Sequence, residues 1–174
     1  MMNVDEAMRR ALVLADMAAR AGDVPVGAVV LDARGRLIGE GYNTREAEGD
    51  PLAHAEIIAM RQAAGQAGAR VGGGVASLAA QRSERGWNLA DCTLVVTLEP
   101  CPMCAGACVA THIGRIVFGA WDPKLGACGS VWDIPRDPHI GHSPEVFGGI
   151  RQEECAAALA DFFAARRFAN ESNR

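Results

Sequence analysis

Two short segments far apart in the chain, His54-Ala55-Glu56 and Pro100-Cys101-Pro102-Met103-Cys104, restrict the fold more than any other feature, because together they form one metal-binding set. One His and two Cys are ligands that zinc favours. Three protein ligands leave one tetrahedral position free, whereas a purely structural zinc is closed by four. Glu56 then stands beside the ion without binding it. Side chains two apart on a helix point to nearly opposite sides, so His54 and Glu56 meet a common object only beyond a helix's first turn. Pro102 suits a first helical position, which puts Cys101 and Cys104 at the start of a second helix. The expectation is two helix N-termini converging on one ion, with their positive dipole ends favouring thiolate over thiol. Cys104, Cys108 and His112 form a further i, i+4 stripe deeper in that second helix, and this stripe is read as core packing.

The rest of the chain frames these segments. Met8, Leu12, Ala15 and Ala18/Ala19 recur at helical spacing before Gly22, predicting a helix over Asp5 to Ala21. Pro25 to Leu31 and Arg36 to Tyr42, on either side of the turn-forming residues 32–35, predict an antiparallel hairpin. A helix is expected over Ala53 to Ala64, with Asp50-Pro51 as its cap and first-turn pair. Cys92 to Leu98 and Gly114 to Ala120 are apolar runs on either side of a helix over Pro102 to His112. This is a β-α-β unit with parallel strands and helices covering the sheet. Trp132 to Glu145, with three prolines and two histidines, suits an irregular loop, and Gln152 to Phe168 has the pattern of a C-terminal helix. The Gly-, Ala- and Ser-rich stretch at 68–88 is read as a loop insertion.

At 174 residues the chain is expected to form one domain, residues 1–174. No apolar stretch approaches the ~20 residues needed to span a bilayer, which argues against a membrane protein. Asp5 and Glu6 stand where a secretory signal carries positive charge, so a cytoplasmic protein is expected. Six cysteines are present, but only the 101/104 pair has metal spacing. Cys92, Cys108, Cys128 and Cys155 are read as small buried hydrophobes in a reducing compartment. The net charge of −4 offers no general attraction for phosphates, so a nucleic-acid partner would have to be held by a local basic patch.

The H-x-E and P-C-x-x-C segments are similar to the signature of zinc nucleobase deaminases. Further segments extend the likeness over Val4 to Arg167: Val24-Pro25-Val26-Gly27-Ala28, Asn43, Thr97-Leu98-Glu99-Pro100-Cys101, Arg115 to Ala120, Gly126 to Ser130 and Glu154 to Arg167. The chain resembles the bacterial tRNA-specific adenosine deaminases of the cytidine/deoxycytidylate deaminase superfamily. That resemblance implies a three-layer α/β/α, cytidine-deaminase-like fold around a central mixed five-stranded sheet. It also implies one Zn2+ per chain on His54, Cys101 and Cys104, a homodimer, and zinc-dependent hydrolysis of adenosine to inosine at the wobble position of an arginine tRNA. Glu56 is then the proton shuttle and Asn43 hydrogen-bonds the base, with Val24, Ala53 and Pro100 as pocket walls. Asp122 and Lys124 align with a loop that touches flanking nucleotides of the tRNA anticodon loop.

Such a substrate is physically reasonable, since an anticodon-loop base is already unpaired and costs less to extrude than one in a duplex. Some alternatives stay open. Asn43 also suits turn formation at a strand end, and Arg166 and Arg167 suit either phosphate contact or the helix dipole. The 68–88 stretch, with Arg70, Arg82 and Arg85, is longer than the family usually carries. A deaminase of a free base or nucleotide such as guanine or cytosine needs the same zinc and carboxylate. A zinc-stabilised binding module would instead need a fourth ligand, with Cys108 or His112 as candidates.

Overall fold

The protein, seen here as a computed structural model, is described over residues 1–69 and 86–172. The insertion predicted at 68–88 therefore falls, from 70 to 85, outside the described residues, and Arg70, Arg82 and Arg85 with it. Helix α1 (Val4–Arg20) opens on a capping box, in which the Asn3 side chain accepts from Glu6 N at 2.9 Å and the Glu6 carboxylate accepts from Asn3 N at 2.8 Å. Strands β1 (Gly27–Leu31) and β2 (Leu37–Tyr42) form the expected antiparallel hairpin. The one-turn helix α2 (Arg45–Glu48) and helix α3 (Ala55–Ala69) follow. Strand β3 (Thr93–Leu98), helix α4 (Pro102–Ala110) and strand β4 (Arg115–Ala120) make the β-α-β unit, with β3 and β4 parallel. A 3-10 turn at Ile134–Arg136 interrupts the irregular stretch before strand β5 (Glu145–Phe147), and helix α5 (Gln152–Ser172) ends the described chain.

The sheet is mixed and five-stranded, in the order β2-β1-β3-β4-β5. Alternation along its strands sorts the core into two layers. Ala28, Val30, Leu94, Val96, Ile116 and Phe118 pack on one face, against α3 and α4. Val29, Leu31, Val95 and Val117 pack on the other, against α1 and α5. This is the three-layer α/β/α arrangement. Among the described residues no helix is long and apolar enough to cross a membrane.

One local reading needs correction, and two short elements went unread. Asp50-Pro51 does not start α3, which begins at Ala55; the Asp50 carboxylate instead accepts from Leu52 N at 2.8 Å within the preceding turn. The helical turn α2 and the three-residue strand β5 were too short to leave a periodic signal. The close seating of α3 on β2 depends on glycine. A Cβ on Gly39 would lie 2.2 Å from the Ala59 carbonyl oxygen and 2.8 Å from Ala63 N, both of them backbone atoms with no freedom to turn aside. Gly39→Ala should therefore destabilise the domain by roughly 1–3 kcal/mol, as overpacked cores do, read as a lower urea midpoint. A midpoint within error of wild type would show that α3 can lift off β2 at no cost.

Candidate active site

The site forms where two helices begin. His54 and Cys101 occupy the residues immediately before α3 and α4, and Pro102 is the first residue of α4. Ile58 N donates to the His54 carbonyl at 3.1 Å and Ala105 N to the Cys101 carbonyl at 2.8 Å, so both backbones belong to first helical turns. Their side chains are thereby free to face outward along the helix axes. Cys104, on the first turn of α4, completes the group and is fully buried.

His54 Nδ1 lies 3.7 Å from Cys101 Sγ and 3.5 Å from Cys104 Sγ, and the three ligand atoms lie within 4.8 Å of one another. A tetrahedral zinc with bonds of ~2.0 Å to nitrogen and ~2.3 Å to sulfur separates those ligands by about 3.5 Å, so the group fits the ion as it stands. Cys108 does not join it: its thiol is buried 4.0 Å from Met60 Sδ. His112 is exposed, its ring stacked on His142 at 5.0 Å. Among the described residues the group is thus three ligands with no protein side chain in a fourth position.

Electrostatics prepare the trio for a cation. Hydrogen bonding to Cys104, and then to His54, lowers the Cys101 thiol to about 4. The same sulfur–sulfur contact, with burial, raises Cys104, and the contact with Cys101 raises His54. Binding a metal releases whatever protons these ligands hold. Glu56, two residues past His54, is only 4% exposed, and burial pushes its carboxyl up to about 7.

His54, Cys101 and Glu56 border a cavity of about 210 Å³ at the carboxyl ends of β3 and β4. Val24, Asn43 and Asp122 line it beside His54, Glu56 and Cys101, and so do Arg45 and Leu125, which sequence reasoning did not single out. Ala53 and Pro100 are buried and do not line the cavity, and the Pro100 carbonyl accepts from Ala127 N at 2.9 Å. Lys124 is exposed, with its backbone N donating to Asp122 Oδ1 at 2.9 Å. A larger cavity, about 560 Å³, opens at the opposite ends of the strands around Asp32, Cys92 and Arg115, with no member of the metal group in it. Arg166 is exposed, its guanidinium 5.0 Å over the Phe162 ring.

Asn43 serves the scaffold as well as the cavity. Its Oδ1 accepts from Ala55 N at 3.0 Å and its Nδ2 donates to the Val24 carbonyl at 3.1 Å. It caps α3 in place of His54, whose ring is aimed at the cysteines. Each amide atom keeps one further bonding position. Two buried acids hold the cavity rims. Asp23 accepts from Glu46 N at 2.9 Å and Ala47 N at 3.1 Å, and Glu99 accepts from the backbone N–H groups of Asp122, Cys128 and Ser130, each at 3.0 Å. An acid directly after an apolar strand run, as in Thr97-Leu98-Glu99, is the signal that could have marked Glu99 as a buried anchor.

The cytidine and deoxycytidylate deaminase zinc-binding region matches residues 1–120. The tRNA-specific adenosine deaminase of Haemophilus influenzae is 43% identical over 94% of this chain and 84% of its own length. A tRNA(Ile)-lysidine synthase of Deinococcus radiodurans is 47% identical over 90% of this chain, and there the chain spans only 24% of the relative's length. A solved tRNA:A34 deaminase structure, studied for A-to-I editing at the wobble position, superposes with a TM-score of 0.73 at 35% identity, covering 88% of this chain and 98% of that one. The cofactor is zinc, and His54, Cys101 and Cys104 are the group able to hold it. Likeness of this extent, in sequence and in fold, has one meaning for classification: the chain belongs to the cytidine and deoxycytidylate deaminase zinc-binding family, in the group that holds the tRNA-specific adenosine deaminases.

Proposed function

We infer that the protein is a hydrolase that deaminates adenosine to inosine at the wobble position of a tRNA, with an arginine anticodon as substrate, and that it works as a cytoplasmic homodimer. The observation that carries the chemistry is Glu56, a carboxylate that lines the same cavity as an open three-ligand metal group. The likeness to wobble deaminases over nearly the whole chain supports the substrate. His54, Cys101 and Cys104 hold the ion. Bound zinc supplies a water activated at neutral pH.

Glu56 takes one proton from the attacking water and passes it to the ring nitrogen as the C6–O bond forms. It then takes the second from the resulting hydroxyl and passes it to the amine, so that the C6–N bond breaks, ammonia leaves and a C6 carbonyl remains. Burial suits it to this exchange, since a carboxyl raised towards neutrality both takes and releases protons. Asn43 orients the base through the bonding positions left on its amide, with Val24 against the ring. Asp122, which lines the cavity together with the cationic Arg45, and Lys124 beyond it meet the flanking nucleotides.

The test is inosine formation in a short arginine anticodon stem-loop carrying a wobble adenosine, using zinc-loaded protein whose mass in solution has been measured by light scattering. Conversion by a particle of two chains is the expected result. Turnover of free guanine or cytosine with none of the stem-loop would overturn the RNA reading in favour of a small-molecule deaminase. Conversion by a single chain would overturn the homodimer alone.

A further inference from the structure

We propose that Glu99 is a positioning residue of the deamination site, holding the 122–130 loop against the metal-binding elbow so that Asp122 and Leu125 stand at the cavity mouth. This rests on the deaminase reading above. Glu99 is 2% exposed, yet among the described residues no arginine, lysine or histidine forms an ion pair with it. Its charge is met by donors from the loop alone. Oε2 accepts from Asp122 N at 3.0 Å and from the Ser130 hydroxyl; Oε1 accepts from Cys128 N and Ser130 N, both at 3.0 Å. The loop is wrapped so closely that a Cβ on Gly126 would lie 2.2 Å from Oε2. Converging backbone N–H groups of this kind form an anion-binding concavity, here filled by the protein's own carboxylate.

Two features make this contact functional as well as structural. Glu99 is two residues before Cys101, and its own N–H donates to the Ala120 carbonyl at 2.8 Å, so its backbone ties the metal-ligand segment to the end of β4 while its carboxylate ties that segment to the loop. The loop it holds has no strand or helix of its own between Trp121 and Asp133. It nevertheless supplies Asp122 and Leu125 to the cavity, and Leu125 is 54% exposed. Ala127 and Cys128 anchor the middle of the loop in the core, and Ala127 N donates to the Pro100 carbonyl, but the Asp122 end that faces the cavity is fixed to the site by its hydrogen bond to Glu99.

Glu99→Gln tests the idea with little change of shape. Its amide must turn an NH2 group towards at least one backbone N–H that now donates to Glu99, so one bond becomes a donor–donor conflict. The expected result is near-stoichiometric zinc, faster amide hydrogen exchange over 122–130, and a KM for the stem-loop raised about tenfold, with kcat changed much less, the scale set by losing one hydrogen bond to a charged group. Ser130→Ala removes one donor and should move the same readouts in the same direction by a few-fold, which keeps the test valid if the Gln variant folds poorly. Unchanged exchange in the loop, loss of zinc, or a fall in kcat alone would each overturn the proposal. The exchange measurement needs no substrate. If wild type does not convert the stem-loop, the function proposed above has failed, while loop exchange still decides whether Glu99 holds the loop.

Discussion

Glu56→Ala protein should form inosine on the order of 10⁴-fold more slowly than wild type, while its zinc content stays near one ion per chain. A single proton transfer by a positioned group contributes ~10²–10⁴-fold, and Glu56 is assigned the transfers on both sides of the addition. The metal count should not follow activity, because Glu56 is outside the group of His54, Cys101 and Cys104. Nor should stability. Burial disfavours the charged form of this carboxyl, so truncating it removes a desolvated acid and leaves a small gap beside a cavity that already exists. The melting temperature is expected to hold or rise. Glu56→Gln, which keeps the volume and removes the titratable proton, should be as inactive as the alanine variant. Zinc measured together with stem-loop turnover decides the matter: loss of zinc, or activity within tenfold of wild type, would remove Glu56 from the role of shuttle.

The residues that bind metal were legible in the sequence because their chemistry is carried by type and spacing. Few combinations of one His, one Glu and a C-x-x-C opened by proline suit anything except an ion at two helix starts. The strands were legible for a similar reason, since Val29 and Val30 or Val95 and Val96 are buried on opposite faces and leave a continuous apolar run. What escaped was whatever depends on one residue reaching across the chain. His54 cannot cap α3 while its ring serves the metal, so the cap comes from Asn43, twelve positions away, and no local rule for Asp50-Pro51 could anticipate that. The anchoring roles of Glu99 and Asp23 are visible only in the loops folded around them. Arg45 and Leu125 reach the cavity only because α2 and the 122–130 loop meet there, and neither segment has a periodic pattern.

Removing the ion should abolish activity and leave the domain folded, which separates this centre from the metal sites of small zinc modules. Those modules unfold without zinc because they have little else to bury. Here the sheet is covered on both faces, by α3 and α4 on one side and α1 and α5 on the other, and the ligands sit at one end of that core. Chelator-treated protein should keep its far-UV circular dichroism and melt at a lower temperature. Zinc present at 1,000 times its Kd adds about 4 kcal/mol to the folded state, which corresponds to roughly 10 °C in a domain of this size. Readdition of zinc should restore both melting temperature and turnover. Removal should also be easier in acid, because the cysteines bind metal as thiolates and His54 as neutral imidazole, so protons compete with the ion. Cys104→Ser makes the same case without a chelator. Cys104 is fully buried, and a serine hydroxyl there stays protonated where a thiolate is needed. That variant should purify with little zinc and no turnover, with a spectrum like that of the chelated protein. A chelated protein that lost its helical signal together with its zinc would show the ion to be structural, and a Cys104→Ser protein with a full zinc complement would remove Cys104 from the ligand set.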